Sequence, residues 1–227
     1  QYTNTEYPIP YDPPFAPYDN PAGLYKRTLD IQTLEAGESV HLNFEGVDSA
    51  FYVWVNDRFI GYSQISHANQ EFDITEALHT GSNQLSVLVV QWSDGTYYED
   101  QDKFRYSGIF RDVFLLKRQA NRINHFKVTP DVAEDLQTAT VSLDILDSVM
   151  AEQVEASLFT PSGELLEERT FNISEPTEFR ITSPELWDAE HPNLYLLVLA
   201  VGGEFYRQEV GLRRVEIKDK QLFINHQ

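Results

Sequence analysis

Short runs in which apolar and polar residues alternate recur along this chain, separated by turn-forming residues. A two-residue period puts every second side chain on one face of an extended strand, whereas a buried helix needs apolar residues three and four apart. The clearest run is SVHLNF (39–44), with Val40, Leu42 and Phe44 on one face. AFYVWV (50–55) and RFIGYS (58–63) flank Asn56-Asp57, and LYLLVLAV (194–201) and EFYRQEVG (204–211) flank Gly202-Gly203. Two turn-prone residues between apolar runs predict tight hairpins, although Asp in place of Gly at position 57 weakens the first signal. Further strands are expected at 24–31, 71–75, 84–92 and 111–118, then at 122–130, 138–147, 153–160, 164–173 and 178–183. Only EALHT (76–80) offers a helical turn, and two short runs surround Lys218-Asp219-Lys220. Strands every 8–15 residues with turns between them make the fold class all-β, and sandwich-like. A length of 227 residues fits two domains better than one, with a break near Asn121. The second set then has the roughly 100 residues of an immunoglobulin-like unit.

The first 23 residues break the pattern. Prolines at 8, 10, 13, 14, 17 and 21 fix φ and remove donors, so this stretch is neither helix nor central strand. Tyr2, Tyr7, Tyr11, Phe15 and Tyr18 are apolar handles that could pin it to a surface, which a plain linker would lack.

Composition removes several classes of function. There is no cysteine, so disulfides, thiolate metal sites and cysteine nucleophiles are excluded. The charge of −19, from 17 basic and 36 acidic residues, repels DNA and anionic membranes, so neither is expected as a partner. No run approaches the roughly 20 apolar residues of a membrane span. QYTNTEYPIPYDPP shows no basic n-region or apolar h-region, so no signal peptide is visible, and the lack of cysteine suits a reducing compartment; a cytoplasmic location is expected.

No phosphate loop, dinucleotide glycine pattern, zincin motif or nucleophile elbow is present, and the six histidines lack metal-ligand spacing. The segment QWSDGTYYEDQDKFRYSGIFRDV (91–113) stands out. It holds Asp94, Glu99, Asp100, Asp102 and Asp112, with Trp92, Tyr97, Tyr98, Phe104, Tyr106 and Phe110; Trp54 would join them if it packs nearby. So long a loop without regular structure is often functional. Carboxylates that accept bonds from hydroxyls, beside rings that cover the C–H face of a pyranose, suit a sugar site. A solvated acidic loop with Arg105 and Arg111 pairing its acids is the plainer reading. Nothing in the spacing marks two of these acids as a glycosidase pair.

At this segment the chain resembles the N-terminal portion of bacterial β-galactosidases of glycoside hydrolase family 2. The matching stretches are YTNTEYPIPYDPPFAPYDNPAGLY (2–25), FEGVDSAFYVWVNDRFIGYSQ (44–64), EFDIT (71–75), WSDGTYYEDQDKFRYSGIFRDV (92–113), PELWDAEHPNLY (184–195) and VGLRRVEI (210–217). The resemblance implies a galactose-binding-like jelly-roll sandwich at 1–118, its start missing, and an immunoglobulin-like sandwich at 119–217. Residues 218–227 would lead into a catalytic barrel that is cut off, and the missing start could leave an apolar groove or an unpaired strand edge. The family cleaves terminal β-galactosides such as lactose with retention, through two barrel glutamates. A barrel needs roughly 250 residues, and 16 follow Gly211, so no residue here is expected to be catalytic and the piece alone should be inactive.

The resemblance carries two substrate-binding residues over, Asn4 and Asp102. It also implies a sodium ion at Asp102 in the intact enzyme and magnesium in the missing catalytic domain. Lys103, Phe104 and Tyr106 depart from the family pattern beside Asp102, which bears on packing rather than on the ligand. Expected partners are the β-galactoside, the barrel, and further copies or a split subunit of the parent. The alternatives are a stand-alone carbohydrate-binding module or a subunit-interaction module; a glucuronide or mannoside specificity is a further option, against which the EDQD loop favours galactoside.

Overall fold

Alternation becomes burial wherever two sheets face each other. The computed structural model describes residues 7–99 and 106–227. The chain divides into two units, Gln1–Arg118 and Gln119–Gln227.

In the first unit one sheet has the order β1 (Ala22–Ile31), β7 (Gly81–Val90), β4 (Ala50–Val55), β5 (Arg58–Ser63). The facing sheet runs β6 (Gln70–Asp73), β2 (Ser39–Phe44), β9 (Val113–Arg118), and β3 (Val47–Asp48) pairs with β8 (Gly108–Ile109). These pairings are antiparallel among the described residues. Val40, Leu42 and Phe44 of β2 meet Phe51, Val53 and Val55 of β4 and Leu85, Val87 and Val89 of β7 in one core. EALHT contributes a single 3₁₀ turn, Thr75–Ala77. Strands β1 and β9 end their sheets, and Phe114, Leu115 and Leu116 of β9 are exposed.

The β4–β5 turn has Asn56 at φ 48° and Asp57 at φ 64°, the left-handed pair that a two-residue hairpin of this type requires. Asn56 suits it for a reason beyond its backbone. Its side-chain amide donates to Ala77 O (2.9 Å) and Asn83 Oδ1 (2.7 Å), and its oxygen accepts from Gln84 N (2.9 Å). Asp57 is exposed and carries a Cβ where Gly would be unstrained. Asp57→Gly should therefore stabilise the hairpin by about 0.5–1 kcal/mol. Thermal unfolding reads this as a higher midpoint; an unchanged or lower one would show that the Asp side chain is itself used.

The second unit is also a sandwich. Its sheets are β10 (Arg122–Val132), β11 (Thr138–Val149), β14 (Thr177–Thr182), and β13 (Leu165–Asn172), β12 (Gln153–Phe159), β15 (Tyr195–Val201), β16 (Glu204–Val210). Val141, Leu143, Val154, Ala156, Leu158, Phe179, Leu197 and Leu199 pack between them. Gly202 and Gly203 make the β15–β16 turn with φ 57° and 87°. A Cβ on Gly202 would collide with the Asn121 carbonyl oxygen, so the first of these glycines is required by packing as well as by φ.

The tail forms a hairpin, β17 (Val215–Lys218) with β18 (Gln221–Ile224), so the boundary expected at 217/218 falls inside it. Polar contacts tie it to the sandwich. Asn225 donates to Trp187 O (3.0 Å) and accepts from Arg214 N (3.0 Å), and His226 Nε2 lies 2.7 Å from Glu134 O. Lys218, and then Arg214, hold the Glu216 carboxyl below its ordinary range against an opposing push from burial.

Candidate functional site

The segment singled out by its acids and rings leaves β7 at Val90 and returns to the sheets at β8. Its first part is tied to the proline-rich segment. Asn20 reaches across and imitates a strand partner: its amide donates to Trp92 O (2.8 Å) and its oxygen accepts from Trp92 N (2.9 Å), while Gln91 N donates to Pro21 O (2.9 Å).

Next comes one turn of helix, α1 (Gly95–Tyr98). It rests on the β5–β6 connection; a Cβ on Gly95 would lie 3.1 Å from the Gln64 carbonyl oxygen. Beneath it Ser49 donates to Ser93 (2.8 Å) and the backbone N–H of Ser93 donates to the Thr96 hydroxyl (3.1 Å), all three residues being buried. Buried hydroxyls that find partners rigidify such a turn rather than cost it stability.

Glu99 closes the described part of the turn. Its carboxylate accepts from Ser66 N (3.1 Å) and from the Ser66 hydroxyl (2.5 Å), and that hydroxyl also lies 3.2 Å from Asp48 Oδ1. On the other side of residues 100–105, Tyr106 stacks on Phe110 with centroids 5.0 Å apart, and Phe110 packs on His67 at 5.0 Å. Gly46 makes room for this, because a Cβ there would sit 2.7 Å from the Phe110 ring. Both flanks of the acidic stretch are therefore seated on neighbouring residues, Ser66 and His67, of the β5–β6 connection. Nothing in the pattern of SQISHAN marks those two residues; only the tertiary fold brings them under the loop.

Asn4 and Asp102 lie outside the described residues, as do Asp100, Phe104 and Arg105. Arg111 lies over the Phe110 ring at 5.5 Å and reaches Glu45 O at 3.5 Å. Trp54 belongs to a different feature. It joins Tyr52, Tyr62 and Phe59 in a row of rings along β4 and β5, with centroid spacings of 4.7–6.1 Å. Burial first, then Tyr52 and Asp94, push the Tyr62 hydroxyl above its ordinary pKa.

Two carboxylates on one hydroxyl invite comparison with a glycosidase pair. A retaining pair stands roughly 5–5.5 Å apart with the scissile bond between them. Here the space between Asp48 and Glu99 holds Ser66, which is fully buried, so no sugar ring fits. Among the described residues no three His, Asp or Glu side chains gather to hold a metal ion. No described helix is long and apolar enough to cross a membrane.

Two antiparallel β-sandwiches in this order define the class, an all-β, two-domain chain of the kind found in glycosyl hydrolases. The chain belongs to the glycosyl hydrolases family 2. Its residues 1–119 match the family's sugar binding domain and residues 121–213 match a second domain of that family. It is 48% identical over 227 residues to the β-galactosidase of Staphylococcus xylosus, covering 100% of this chain and 23% of that protein. It is 44% identical over 230 residues to the β-galactosidase of Actinobacillus pleuropneumoniae, covering 100% and 22%. The chain thus spans about a quarter of the length of these relatives. Among solved structures, β-glucuronidase 3 of Bacteroides uniformis superposes with a TM-score of 0.75 at 20% identity, over 90% of this chain and 28% of that one. The Bifidobacterium dentium β-glucuronidase gives 0.75 at 22%, over 89% and 41%. At such identities these two structures establish the shared fold.

Proposed function

We propose that the chain is the non-catalytic portion of a retaining β-galactosidase and helps to form the substrate pocket of the whole enzyme. The observation that carries this is the 48% identity, over the whole chain, to a β-galactosidase four times its length. The likeness to β-glucuronidases is a likeness of fold and does not favour a glucuronide over a galactoside.

In this reading Asn4 and Asp102 contact galactosyl hydroxyls at the mouth of the catalytic domain. An ionised carboxylate accepts two hydroxyl bonds, and an amide both donates and accepts. Their contribution is orientation of the substrate. Asp102 would also ligate the sodium ion, through oxygen. Support comes from the loop's setting: both flanks of residues 100–105 are anchored, at Glu99 and at Tyr106, so the segment between them starts and ends on fixed points.

The test is Asp102→Ala in the full-length enzyme. Losing charge-assisted bonds to a substrate costs about 1.5–3 kcal/mol, or about 10- to 150-fold in kcat/KM. Response to added sodium should fall with it. Unchanged kinetics would remove Asp102 from the site.

One observation favours a second reading, a stand-alone carbohydrate-binding module. The row Phe59, Trp54, Tyr52 and Tyr62 presents ring surface on the outer side of the first unit, with Phe59 and Tyr62 exposed. That reading requires the 227 residues alone to bind galactose or lactose measurably.

A further inference from the structure

The row of rings along β4 and β5 exists because of an irregularity in their pairing. Phe51, Val53 and Val55 of β4 point into the core, so Tyr52 and Trp54 point away from it. Phe59 and Tyr62 of β5 are three residues apart, and in a regular strand they would face opposite sides. A register shift between Val53 and Trp54 sets Phe59 opposite Trp54 and Tyr62 opposite Tyr52, so both join the outer face. The rings then run in one line, Tyr62, Tyr52, Trp54, Phe59, with consecutive centroids 4.7, 6.1 and 5.7 Å apart. Phe59 is 54% and Tyr62 42% exposed. A continuous exposed patch of large apolar groups marks a binding surface. Polar groups border it. Trp54 pairs across the sheet with Ser86, and Ser86 with Lys26, which puts a hydroxyl and an ammonium on the same face. The Tyr62 hydroxyl donates to Gln64 Oε1 (2.6 Å), which fixes that end of the row.

We propose that this row is a binding platform for a neutral, β-linked oligosaccharide. The inference rests on the carbohydrate-binding reading above and gives it a ligand class and a place. A β-linked pyranose with equatorial hydroxyls shows C–H groups on its ring faces and hydroxyls around its rim. Aromatic faces cover the first. Ser86, Lys26 and the Tyr62 hydroxyl meet the second, since a Tyr ring presents an apolar body and a polar tip. The ring spacing is comparable with the length that each unit adds to an extended glycan, so successive sugars meet successive rings. A chain therefore binds more tightly than a single sugar. Charge selects among possible occupants. The protein carries −19, so a second copy or an acidic glycan approaches against repulsion, whereas a neutral glycan does not. The platform lies in the unit that matches the family's sugar binding domain.

The experiment titrates cellotetraose, which has no galactosyl group to be cleaved, into the full-length enzyme and its Trp54→Ala, Trp54→Phe and Phe59→Ala variants. Calorimetry reads binding, and thermal unfolding checks that each variant is folded. Cellotetraose should bind, and more tightly than glucose. Trp54→Ala should weaken it about tenfold or more and Phe59→Ala about three- to tenfold, as truncated aromatic anchors do. Trp54→Phe keeps a ring and should fall between the parent and Trp54→Ala. Phe59 is exposed, so Phe59→Ala keeps the fold and decides the question even where Trp54→Ala unfolds. Binding that neither alanine variant weakens would put the sugar elsewhere: the platform would be wrong and the carbohydrate-binding reading would stand. Lactose bound by the 227 residues, with no binding of cellotetraose, would likewise remove the platform and leave that reading. Binding of neither sugar would end both. Self-association that Phe59→Ala abolishes, with no sugar bound, would show that a second copy covers this face and would overturn the proposal.

Discussion

Purified as these 227 residues alone, the chain should release no product from a chromogenic β-galactoside. The full-length enzyme should turn the same substrate over readily. Hydrolysis with retention needs a protonated acid and an ionised nucleophile facing each other across the bond to be cut. Two carboxylates that share a partner, Asp48 and Glu99, are bridged by the buried Ser66. Enzymes accelerate such reactions by roughly 10⁶-fold or more, so the expected loss is the whole of the measurable rate. Turnover that survives purification and disappears on Glu99→Gln would overturn both the assignment of the chemistry to another domain and the structural role given to Glu99 here.

The largest stability effect is expected at Phe44. Its ring is fully buried and forms a triangle with Phe51, at 4.7 Å, and Phe72, at 6.1 Å, which are 5.9 Å from each other. The surroundings cannot close in readily. Phe72 already presses on Gly61, where even a Cβ would come within 2.5 Å of the ring. Phe44→Ala should therefore leave a cavity and cost about 3–5 kcal/mol. A domain is stable by only about 5–15 kcal/mol, so the first unit would be close to unfolding at 25 °C. Phe114→Ala is the control, because that ring is 41% exposed and should cost under about 1 kcal/mol. Urea denaturation of both variants reads the difference. Equal costs would mean that β2 is not the centre of the core.

Elements whose signal is local were legible in the sequence. The run at 39–44 is β2 to the residue, and the runs at 50–55 and 58–63 are β4 and β5. Both hairpins at Asn56-Asp57 and Gly202-Gly203 form with the positive φ their residues favour. The two-residue strands β3 and β8 were not legible, because a pair that short has no period to detect. The acidic, aromatic loop was visible as a composition. Its scaffold was not: Ser66, His67, Asn20 and Tyr97 have no sequence spacing that announces a joint role.

From the order of residues alone follow the strands, the faces they bury, the hairpin turns and the likeness to family 2. Each of these depends on neighbours a few positions away, where backbone sterics and the two-residue period act directly. Only the folded chain decides that Tyr97 meets Phe15 across 82 positions, or that Glu99 meets Ser66 across 33. Such contacts form because two sheets close on a shared core and carry their loops with them, and the geometry of that closure is written in no single stretch of sequence.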